Sequence, residues 1–234
     1  MSSGNTLVVL QPGYLPWLGF FDQLHRSDTF VLYDDVQYDK GGWRNRNRLK
    51  SPTGTTWLTV PVRTTGRTCQ RLLDVEIDND QRWARDHLST IRHLYARAPY
   101  LGRYLPDLVE VFSRSWALLV DLDLELLSLL SAWFHLDPPT LRSSRLGIGG
   151  RATQRLVDIA VEAGATRYLT GDAARAYLDV SMFADRGIEV EWHDFRHPTY
   201  PQQHGQFVPY LSALDLLMNC GDGAGPVLGV TNCD

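Results

Sequence analysis

The sequence predicts a single α/β domain over residues 1–234, with a Rossmann-like, mainly parallel sheet and a helical layer or insertion at about residues 80–136. Three observations support this fold class. The chain is 44% hydrophobic and 21% charged, and it is long enough to bury a sizeable core. Short apolar runs alternate with helical patterns near the start and in the last third, which favours parallel strands. Between these regions the hydrophobic period is helical.

The first third is predicted to be rich in strands. Apolar runs at residues 7–10 and 30–33 indicate two strands that are neighbours in the sheet, with a helix at 20–25 between them. Alternating patterns predict two more strands at 56–62 and 72–77. Later elements follow in order: helices at 81–98 and from 106 to 136, a helix at 153–163, a strand at 166–170, short helices at 172–177 and 181–186, a strand at 188–192, a helix at 212–219, and Gly-rich coil from 221 to 229.

Composition narrows the functional classes. With 23 basic and 27 acidic residues the net charge is -4, which argues against a nucleic-acid partner bound through overall charge. No apolar run reaches 18 residues and residues 1–6 lack a signal-peptide pattern, so we expect a cytoplasmic protein without membrane insertion. Cys69, Cys220 and Cys233 lack metal-ligand spacing and are predicted to be free thiols. No metal-ligating residues are predicted.

Polar residues follow the predicted strands, and ligand sites of α/β sheets lie beyond the carboxyl ends of strands. We therefore predict one cleft with Thr170 or Gln202 at its edge. The residues expected to line it are Gln11, Tyr14, Asp34, Asp35, Arg46, Asn47 and Arg48. The acidic pair has two interpretations: it forms a turn, or one carboxylate acts as a general base, orients an amine or holds Mg²⁺.

Arginine and asparagine alternate at residues 45–48. In an extended segment this places Arg46 and Arg48 on one face and Asn45 and Asn47 on the other. Guanidinium groups in such a row suit a phosphate or a carboxylate. The alternative is structural pairing of the arginines with Asp34, Asp35 or Asp39.

Two histidines are candidates of different kinds. His87 lies on an apolar helical face, where it is either a core residue or a substrate contact, and His204 lies in a polar loop that suits a general base. The loop at residues 11–19 precedes a helix amino terminus, which can bind an anion. Nucleotidylyltransferases have a Pro-x-His-x-Gly-His element at the same place, but residues 16–20 contain neither histidine.

Several motifs in one order resemble the WbqC-like family. They are Gln-Pro-x-Tyr-Leu-Pro-Trp-x-Gly-x-Phe at 11–21, Tyr-Asp-Asp-Val-Gln-Tyr at 33–38, Asn-Arg-Asn-Arg at 45–48 and Trp-Leu-Thr-Val-Pro-Val at 57–62. The resemblance implies a role beside O-antigen, other polysaccharide or secondary-metabolite pathways, with transfer of an acyl or aminoacyl group. None of the three cysteines falls in a motif of the family, which favours direct attack over a cysteine intermediate.

We accordingly predict an acyl- or aminoacyl-transferase acting on an amine or amino-sugar acceptor, with no required cofactor and with Mg²⁺ as a candidate ion. An acyl- or peptidyl-carrier protein is a candidate partner. The alternatives are a nucleotide-binding, nucleotidylyltransferase-like enzyme and a non-catalytic module that binds a carrier protein. The candidate catalytic residues are Asp34, Asp35, His204 and Gln11, and the candidate substrate-binding residues are Tyr14, Trp17, Gln37, Trp43, Asn45, Arg46, Asn47, Arg48, His87, Thr170 and Gln202.

Overall fold

A computed structural model of the chain describes residues 4–230. The chain forms two compact units. The first unit consists of Met1–Gln11, Asp22–Asp35 and Asp137–Arg196, and the second of Pro12–Phe21, Val36–Leu136 and His197–Asp234. The single domain over residues 1–234 stays a prediction.

The described residues contain seven strands and eight α-helices, with four short 3₁₀ helices. The strands are β1 (Thr6–Leu10), β2 (Thr29–Leu32), β3 (Arg46–Ser51), β4 (Gly54–Thr59), β5 (Thr140–Arg142), β6 (Arg167–Gly171) and β7 (Glu189–His193). The helices are α1 (Leu18–His25), α2 (Trp83–Leu94), α3 (Leu101–Ser113), α4 (Leu119–Trp133), α5 (Ala152–Glu162), α6 (Val180–Ala184), α7 (Ala213–Cys220) and α8 (Ala224–Leu228). The 3₁₀ helices are Leu72–Asp74, Ser143–Arg145, Asp172–Ala176 and Gly221–Gly223.

The first unit is built on a five-stranded sheet in the order β5-β2-β1-β6-β7, and every neighbouring pair is parallel. Strands β1 and β2 are neighbours, with Val8 opposite Phe30, as predicted. Their residues are buried almost without alternation because a parallel sheet is covered on both faces. Side chains of α5 and α6 join the core of this unit, where the Phe183 ring stacks on Tyr168 at 4.7 Å. The α/β, Rossmann-like, mainly parallel fold class is therefore confirmed.

The second unit combines an antiparallel hairpin, β3-β4, with helices α2, α3 and α4. These helices confirm the helical segment predicted at about residues 80–136. Helix α2 buries Trp83, His87, Ile91 and Leu94, which recur at helical spacing along one face. The leucines of α4 are buried in the same way. Their bounds differ from those predicted: the helix expected from 106 to 136 is divided into α3 and α4 by a break at residues 114–118, and α3 begins at Leu101, so that Pro106 lies inside it.

Two further expectations about local structure are wrong, and one strand was not predicted. The strand at 72–77 is a 3₁₀ helix, Leu72–Asp74, flanked by isolated bridges, because no neighbouring strand runs beside it to form a ladder. Residues 221–229, predicted to be Gly-rich coil, contain the 3₁₀ helix Gly221–Gly223 and helix α8, in which Ala224 and Leu228 are buried. Strand β5 was not predicted, since three residues are too few to show an alternating pattern.

Candidate functional site

The two units divide the predicted site residues between them. Those in the first unit are Gln11, Asp34, Asp35 and Thr170. Those in the second unit are Tyr14, Trp17, Gln37, Trp43, Asn45, Arg46, Asn47, Arg48, His87, Gln202 and His204. The single cleft stays a prediction.

In the first unit, Asp34 is fully buried just beyond β2. Nε of Arg142 donates to its Oδ2 over 2.6 Å, and Ser144 donates to the carboxylate through its backbone amide at 3.0 Å and its hydroxyl at 2.9 Å. Burial opposes ionisation of Asp34, but these hydrogen bonds outweigh it and hold the pKa below its usual value. A carboxylate held in this way is a poor proton acceptor at neutral pH, which favours the structural interpretation.

Asp35 forms an ion pair with a different arginine, Arg155. Nη2 of Arg155 donates to its Oδ2 over 2.5 Å, and Oγ of Ser143 lies 2.6 Å from its Oδ1. The same guanidinium lies 5.0 Å from the centre of the Tyr33 ring. The predicted acidic pair is therefore neutralised by two arginines of its own unit. Sequence reasoning missed both, because the arginines and serines that face the acids come from residues 142–155, more than a hundred positions later.

The other two candidates of the first unit lie at strand ends, as predicted. Gln11 follows β1 and is half-buried. Thr170 is buried near the end of β6, opposite Trp192 of β7, and bonds to the hydroxyl of Tyr168. The last residue of β7 makes a contact that was not predicted: Nε2 of His193 is 2.6 Å from Oδ2 of Asp22. These positions are compatible with a site at the strand ends, and their roles stay predictions.

In the second unit, the segment formed by Asn45 and the start of β3 separates its amides from its guanidinium groups. Asn45 and Asn47 are buried, whereas Arg46 and Arg48 on the opposite face are half-buried. The predicted division of the two faces is thus confirmed. Nδ2 of Asn45 donates to the Val60 carbonyl at 2.8 Å, and that of Asn47 to the Leu15 carbonyl at 2.8 Å. Both amides therefore secure backbone, which favours a structural role over substrate contact.

The loop before α1 packs against the segment before β3. The amide of Tyr14 donates to the Arg44 carbonyl at 3.0 Å, and Nη1 of Arg44 donates to the Pro12 carbonyl at 3.1 Å. A Cβ on Gly13 would lie only 2.9 Å from the Trp43 carbonyl oxygen, so this close approach requires glycine. The motif at residues 11–21 thus helps to hold the backbone of Trp43.

Two exposed indoles and two guanidinium groups form what we call the indole–guanidinium surface, made of Trp43, Trp57, Arg46 and Arg48. Trp43 is 45% exposed and Trp57 is 44% exposed, and their ring centres are 5.3 Å apart. The Arg46 guanidinium lies 4.5 Å from the Trp57 ring centre, and that of Arg48 lies 5.4 Å from Trp43 and 5.6 Å from Trp57. Across residues 4–230, neither arginine has a carboxylate within ion-pair distance. The surface therefore carries two uncompensated positive charges.

Lys50 continues the row of cations on β3. It follows Arg48 by two residues, but only 1% of its surface is exposed because the segment around Gln202 covers it. Nζ of Lys50 donates to Oε1 of Gln202 at 3.3 Å and to the carbonyl of Gln206. Nη2 of Arg48 donates to the Tyr210 carbonyl at 3.3 Å. The loop that contains the predicted residues Gln202 and His204 therefore runs beside β3.

Gln202 also contacts a buried carboxyl group. Its Nε2 donates to Oδ2 of Asp215 at 2.8 Å, and the hydroxyls of Tyr95 and Tyr200 donate to the same carboxyl at 2.7 and 3.0 Å. Burial raises the pKa of Asp215, although these three hydrogen bonds oppose the rise. Sequence reasoning missed Lys50 and Tyr95 as partners, since an isolated lysine or tyrosine carries no motif.

His204 has a defined ring orientation. Its Nε2 lies 2.8 Å from the Leu94 carbonyl oxygen. A carbonyl only accepts, so Nε2 must carry the proton, and in the neutral ring Nδ1 then has the free lone pair. The ring is partly exposed, and among the described residues Nδ1 has no hydrogen-bond partner. This arrangement suits a general base.

His87 fits its structural interpretation. Oη of Tyr14 lies 2.8 Å from Nδ1 of His87, and both side chains are buried. Burial lowers the pKa of His87 to about 4, against a smaller opposite effect of a hydrogen bond to the Thr59 backbone. The edge of Trp83 packs on the ring at 5.6 Å. His87 is therefore a neutral, buried core histidine.

Asp123 was not predicted as a site residue. It is fully buried on α4, and neither carboxylate oxygen has a hydrogen-bond partner within residues 4–230. Burial raises its pKa well above the usual value, and the positive charge of Arg44 opposes the rise only in part. The buried face of α4 is otherwise made of leucine and valine. The sequence signal for a buried carboxyl group there is that Asp123 interrupts this apolar pattern.

Two further candidates of the second unit are Trp17 and Gln37. The half-buried Trp17 ring is 5.7 Å from that of Tyr210, and its backbone bridges Ser212. Gln37 is exposed, and its backbone pairs with Arg71.

Cys69 and Cys220 are free thiols, and Cys233 lies outside the described residues. Over residues 4–230 we find no cluster of His, Cys, Asp and Glu suited to a metal ion. In the same range, no helix has the length and apolar character needed to cross a membrane.

Fold and site together define an α/β protein with a Rossmann-like parallel sheet and a cationic, aromatic surface on its second unit. The chain belongs to the WbqC-like protein family, whose sequence model matches residues 11–225. It is 34% identical over 217 residues to an uncharacterized protein, Rv1507c, of Mycobacterium tuberculosis, which covers 92% of this chain and 94% of the relative. No solved structure matches the chain.

Proposed function

We propose that the protein transfers an acyl or aminoacyl group from an activated donor to an amine acceptor, in polysaccharide or secondary-metabolite biosynthesis. The observation that carries the proposal is the pair Arg46 and Arg48, which lies between exposed indoles without a carboxylate partner among the described residues. Guanidinium groups in this state suit the phosphate or carboxylate of a donor, because they can donate to an anion without first breaking an ion pair.

The proposed step is direct attack. The acceptor nitrogen forms a bond to the carbonyl carbon of a thioester, the carbon–sulfur bond breaks, and the thiol leaves with a proton. The attacking amine loses one proton to a general base. The products are an amide and a free thiol, so no oxidant or further reactant is needed.

His204 is the base best supported by the geometry of the second unit. The Leu94 carbonyl fixes the Nε2 proton, so Nδ1 of the neutral ring can accept a proton from the amine. His204 lies between Gln202 and Gln206, which both contact Lys50 of β3, the strand that also carries Arg46 and Arg48. A base and an anion-binding pair are thus carried by adjoining segments of one unit.

The test is a transfer assay with acetyl-CoA and glycyl-CoA as donors and glucosamine as the amine. Released thiol and the mass of the amide product are the readouts. We expect His204→Ala to lower kcat by about 10²- to 10⁴-fold, and Arg46→Gln with Arg48→Gln to raise KM. Arg114→Gln is the matched control, since Arg114 also stacks on a tryptophan at 4.5 Å but is paired with Glu125. Wild-type kinetics in the His204 and arginine variants would contradict the assignment.

Intact-protein mass spectrometry addresses the covalent alternative. An acyl adduct on Cys69, Cys220 or Cys233 that is competent for transfer would replace direct attack by a cysteine intermediate. Because Cys69 is exposed, a triple Cys→Ser variant is the control for adventitious acylation. Direct attack predicts that this variant keeps its activity.

A non-catalytic carrier-binding module is the second candidate, favoured by the same positive surface, which suits an acidic carrier protein. It predicts binding of an acyl-carrier protein without turnover. The nucleotidylyltransferase-like candidate depends instead on the loop at residues 11–19. There the backbone amide of Tyr14 is already bonded to Arg44, so the loop offers fewer donors to a phosphate than the sequence suggested.

A further inference from the structure

We propose that the indole–guanidinium surface binds the nucleoside diphosphate part of the donor, with the base stacked on the indoles and the diphosphate held by Arg46 and Arg48. This inference rests on the proposed function, because it names the donor class for the same surface. It favours a donor that contains a nucleotide, such as a coenzyme A thioester, over a phosphopantetheine arm without a base.

The indoles supply the stacking surface. Trp43 and Trp57 each leave more than two fifths of their surface exposed, and their rings are inclined by only 34°. Two adjacent exposed indoles form an apolar patch of the kind that marks a ligand- or partner-binding site. A nucleobase stacks on an indole irrespective of its hydrogen-bonding pattern, since every base has an aromatic face.

The guanidinium groups supply the anion site. Arg46 and Arg48 point from the same face of β3, about 7 Å apart along the strand. Each donates through Nη2 to a single carbonyl, of Gly41 and Tyr210 respectively. Nε of each arginine is buried and has no acceptor within the described residues. These buried Nε atoms are out of reach of a ligand, so the remaining Nη donors of the two guanidinium groups would bind the negatively charged oxygen atoms of a diphosphate.

The small size of the surface selects a nucleotide over a strand of nucleic acid. It has two arginines and two indoles, which is the footprint of one base with its phosphates, whereas a strand requires a row of such contacts. A net charge of -4 for the whole chain also disfavours a long polyanion. A neutral sugar could stack on the indoles but leaves the two charges uncompensated.

The same unit contains a matched control. Arg114 lies 4.5 Å from the Trp116 ring centre, the same separation as between Arg46 and Trp57, yet Arg114 is paired with Glu125. Arg114→Gln therefore removes an arginine–indole contact of equal distance without touching the proposed site.

Isothermal titration with the full chain tests the proposal. The probes are ADP, coenzyme A, adenosine, inorganic pyrophosphate and a single-stranded RNA oligonucleotide. We expect ADP and coenzyme A to bind at one site, at least tenfold more tightly than adenosine or pyrophosphate. Trp57→Ala and the double variant Arg46→Gln, Arg48→Gln should each weaken ADP binding at least tenfold, with circular dichroism unchanged. Arg114→Gln should bind as the wild type does.

Each other outcome overturns the inference in a recognisable way. Pyrophosphate binding as tightly as ADP would indicate a simple anion site, and RNA binding far more tightly than ADP would indicate a nucleic-acid surface. ADP binding that survives both variants would place the nucleotide elsewhere. Failure of the proposed function looks different: ADP binds as expected, but no donor supports transfer. Conversely, transfer from a thioester that lacks a nucleotide, at the rate of the coenzyme A thioester, would remove only this inference.

Discussion

Oη of Tyr14 lies 2.8 Å from Nδ1 of His87, and this buried contact joins the loop at residues 11–19 to helix α2 of the same unit. The phenol keeps its proton because burial raises its pKa well above the usual value, so it donates to the neutral imidazole. Two residues predicted to bind substrate are therefore partners of each other. The contact gives both side chains a structural role, and it leads to the first prediction.

Stability should depend on the protonation of His87. Its pKa is about 4 in the folded protein and about 6.5 when unfolded, so between these values the unfolded chain binds more protons and stability falls as pH is lowered. We expect the protonation of His87 to lower the free energy of unfolding by up to about 3 kcal/mol between pH 6.5 and 4. Urea unfolding at several pH values should show a shallower decline in His87→Gln. His93→Gln, which changes an exposed histidine of the same helix, should follow the wild type.

Asp123 is predicted to destabilise the protein at neutral pH. Its folded pKa lies well above the usual value, so the folded state holds the proton more tightly and stability falls as pH rises above about 4. Asp123→Asn removes the ionisable group at nearly constant shape. We expect it to raise the free energy of unfolding at pH 7 by about 1 kcal/mol or more, and to flatten the dependence between pH 4 and 8. Asp121→Asn, at an exposed position of α4, is the control; a destabilised Asp123→Asn would show that the carboxyl group has a required partner.

The pair of Asp34 and Arg142 should be a structural contact. Asp34 is fully buried and lies 2.6 Å from the guanidinium, so removing one partner leaves the other uncompensated. We expect Asp34→Ala to cost about 3 kcal/mol in the free energy of unfolding. The stabilisation from its lowered pKa is present above about pH 4 and is lost as pH falls through the folded pKa. The exposed pair Arg175 and Asp172 is the comparison, where Asp172→Ala should change stability by less than about 1 kcal/mol.

The loop that carries His204 should depend on Gln202 for its order. Gln202 contacts Lys50, Asp215 and the Val208 backbone, so Gln202→Leu leaves a buried lysine and a buried carboxyl without a shared partner. We expect hydrogen exchange of the peptide at residues 202–208 to become at least tenfold faster, which corresponds to about 1.4 kcal/mol of local opening. The neighbouring Gln203→Leu should leave exchange unchanged, since no hydrogen bond of its side chain is found in the described structure. Equal protection in both variants would contradict the anchoring role.

Periodicity in the sequence determined most of the elements. The buried face of α2 follows from a period of 3.6, and the separation of Arg46 and Arg48 from Asn45 and Asn47 follows from a period of 2; both are local properties of the backbone. Strands β1 and β2 follow instead from short continuous apolar runs, because a parallel sheet is covered on both faces. The strand wrongly predicted at residues 72–77 shows the limit of this reasoning. An alternating pattern specifies which side chains are buried, but a strand also needs a neighbour to pair with.

Only the tertiary structure decided which polar side chains pair with each other. The sequence placed Asp34 and Asp35 at a strand end, but their partners depend on the tertiary structure. Arg142 reaches Asp34 because β5 lies beside β2 in the sheet, and Arg155 reaches Asp35 from helix α5. Likewise, Arg46 and Arg48 kept their charges uncompensated while Lys50, two residues further on, became buried under Gln202. Ion pairing and burial arise between segments distant in the chain, and no local pattern records which polar group will meet which partner.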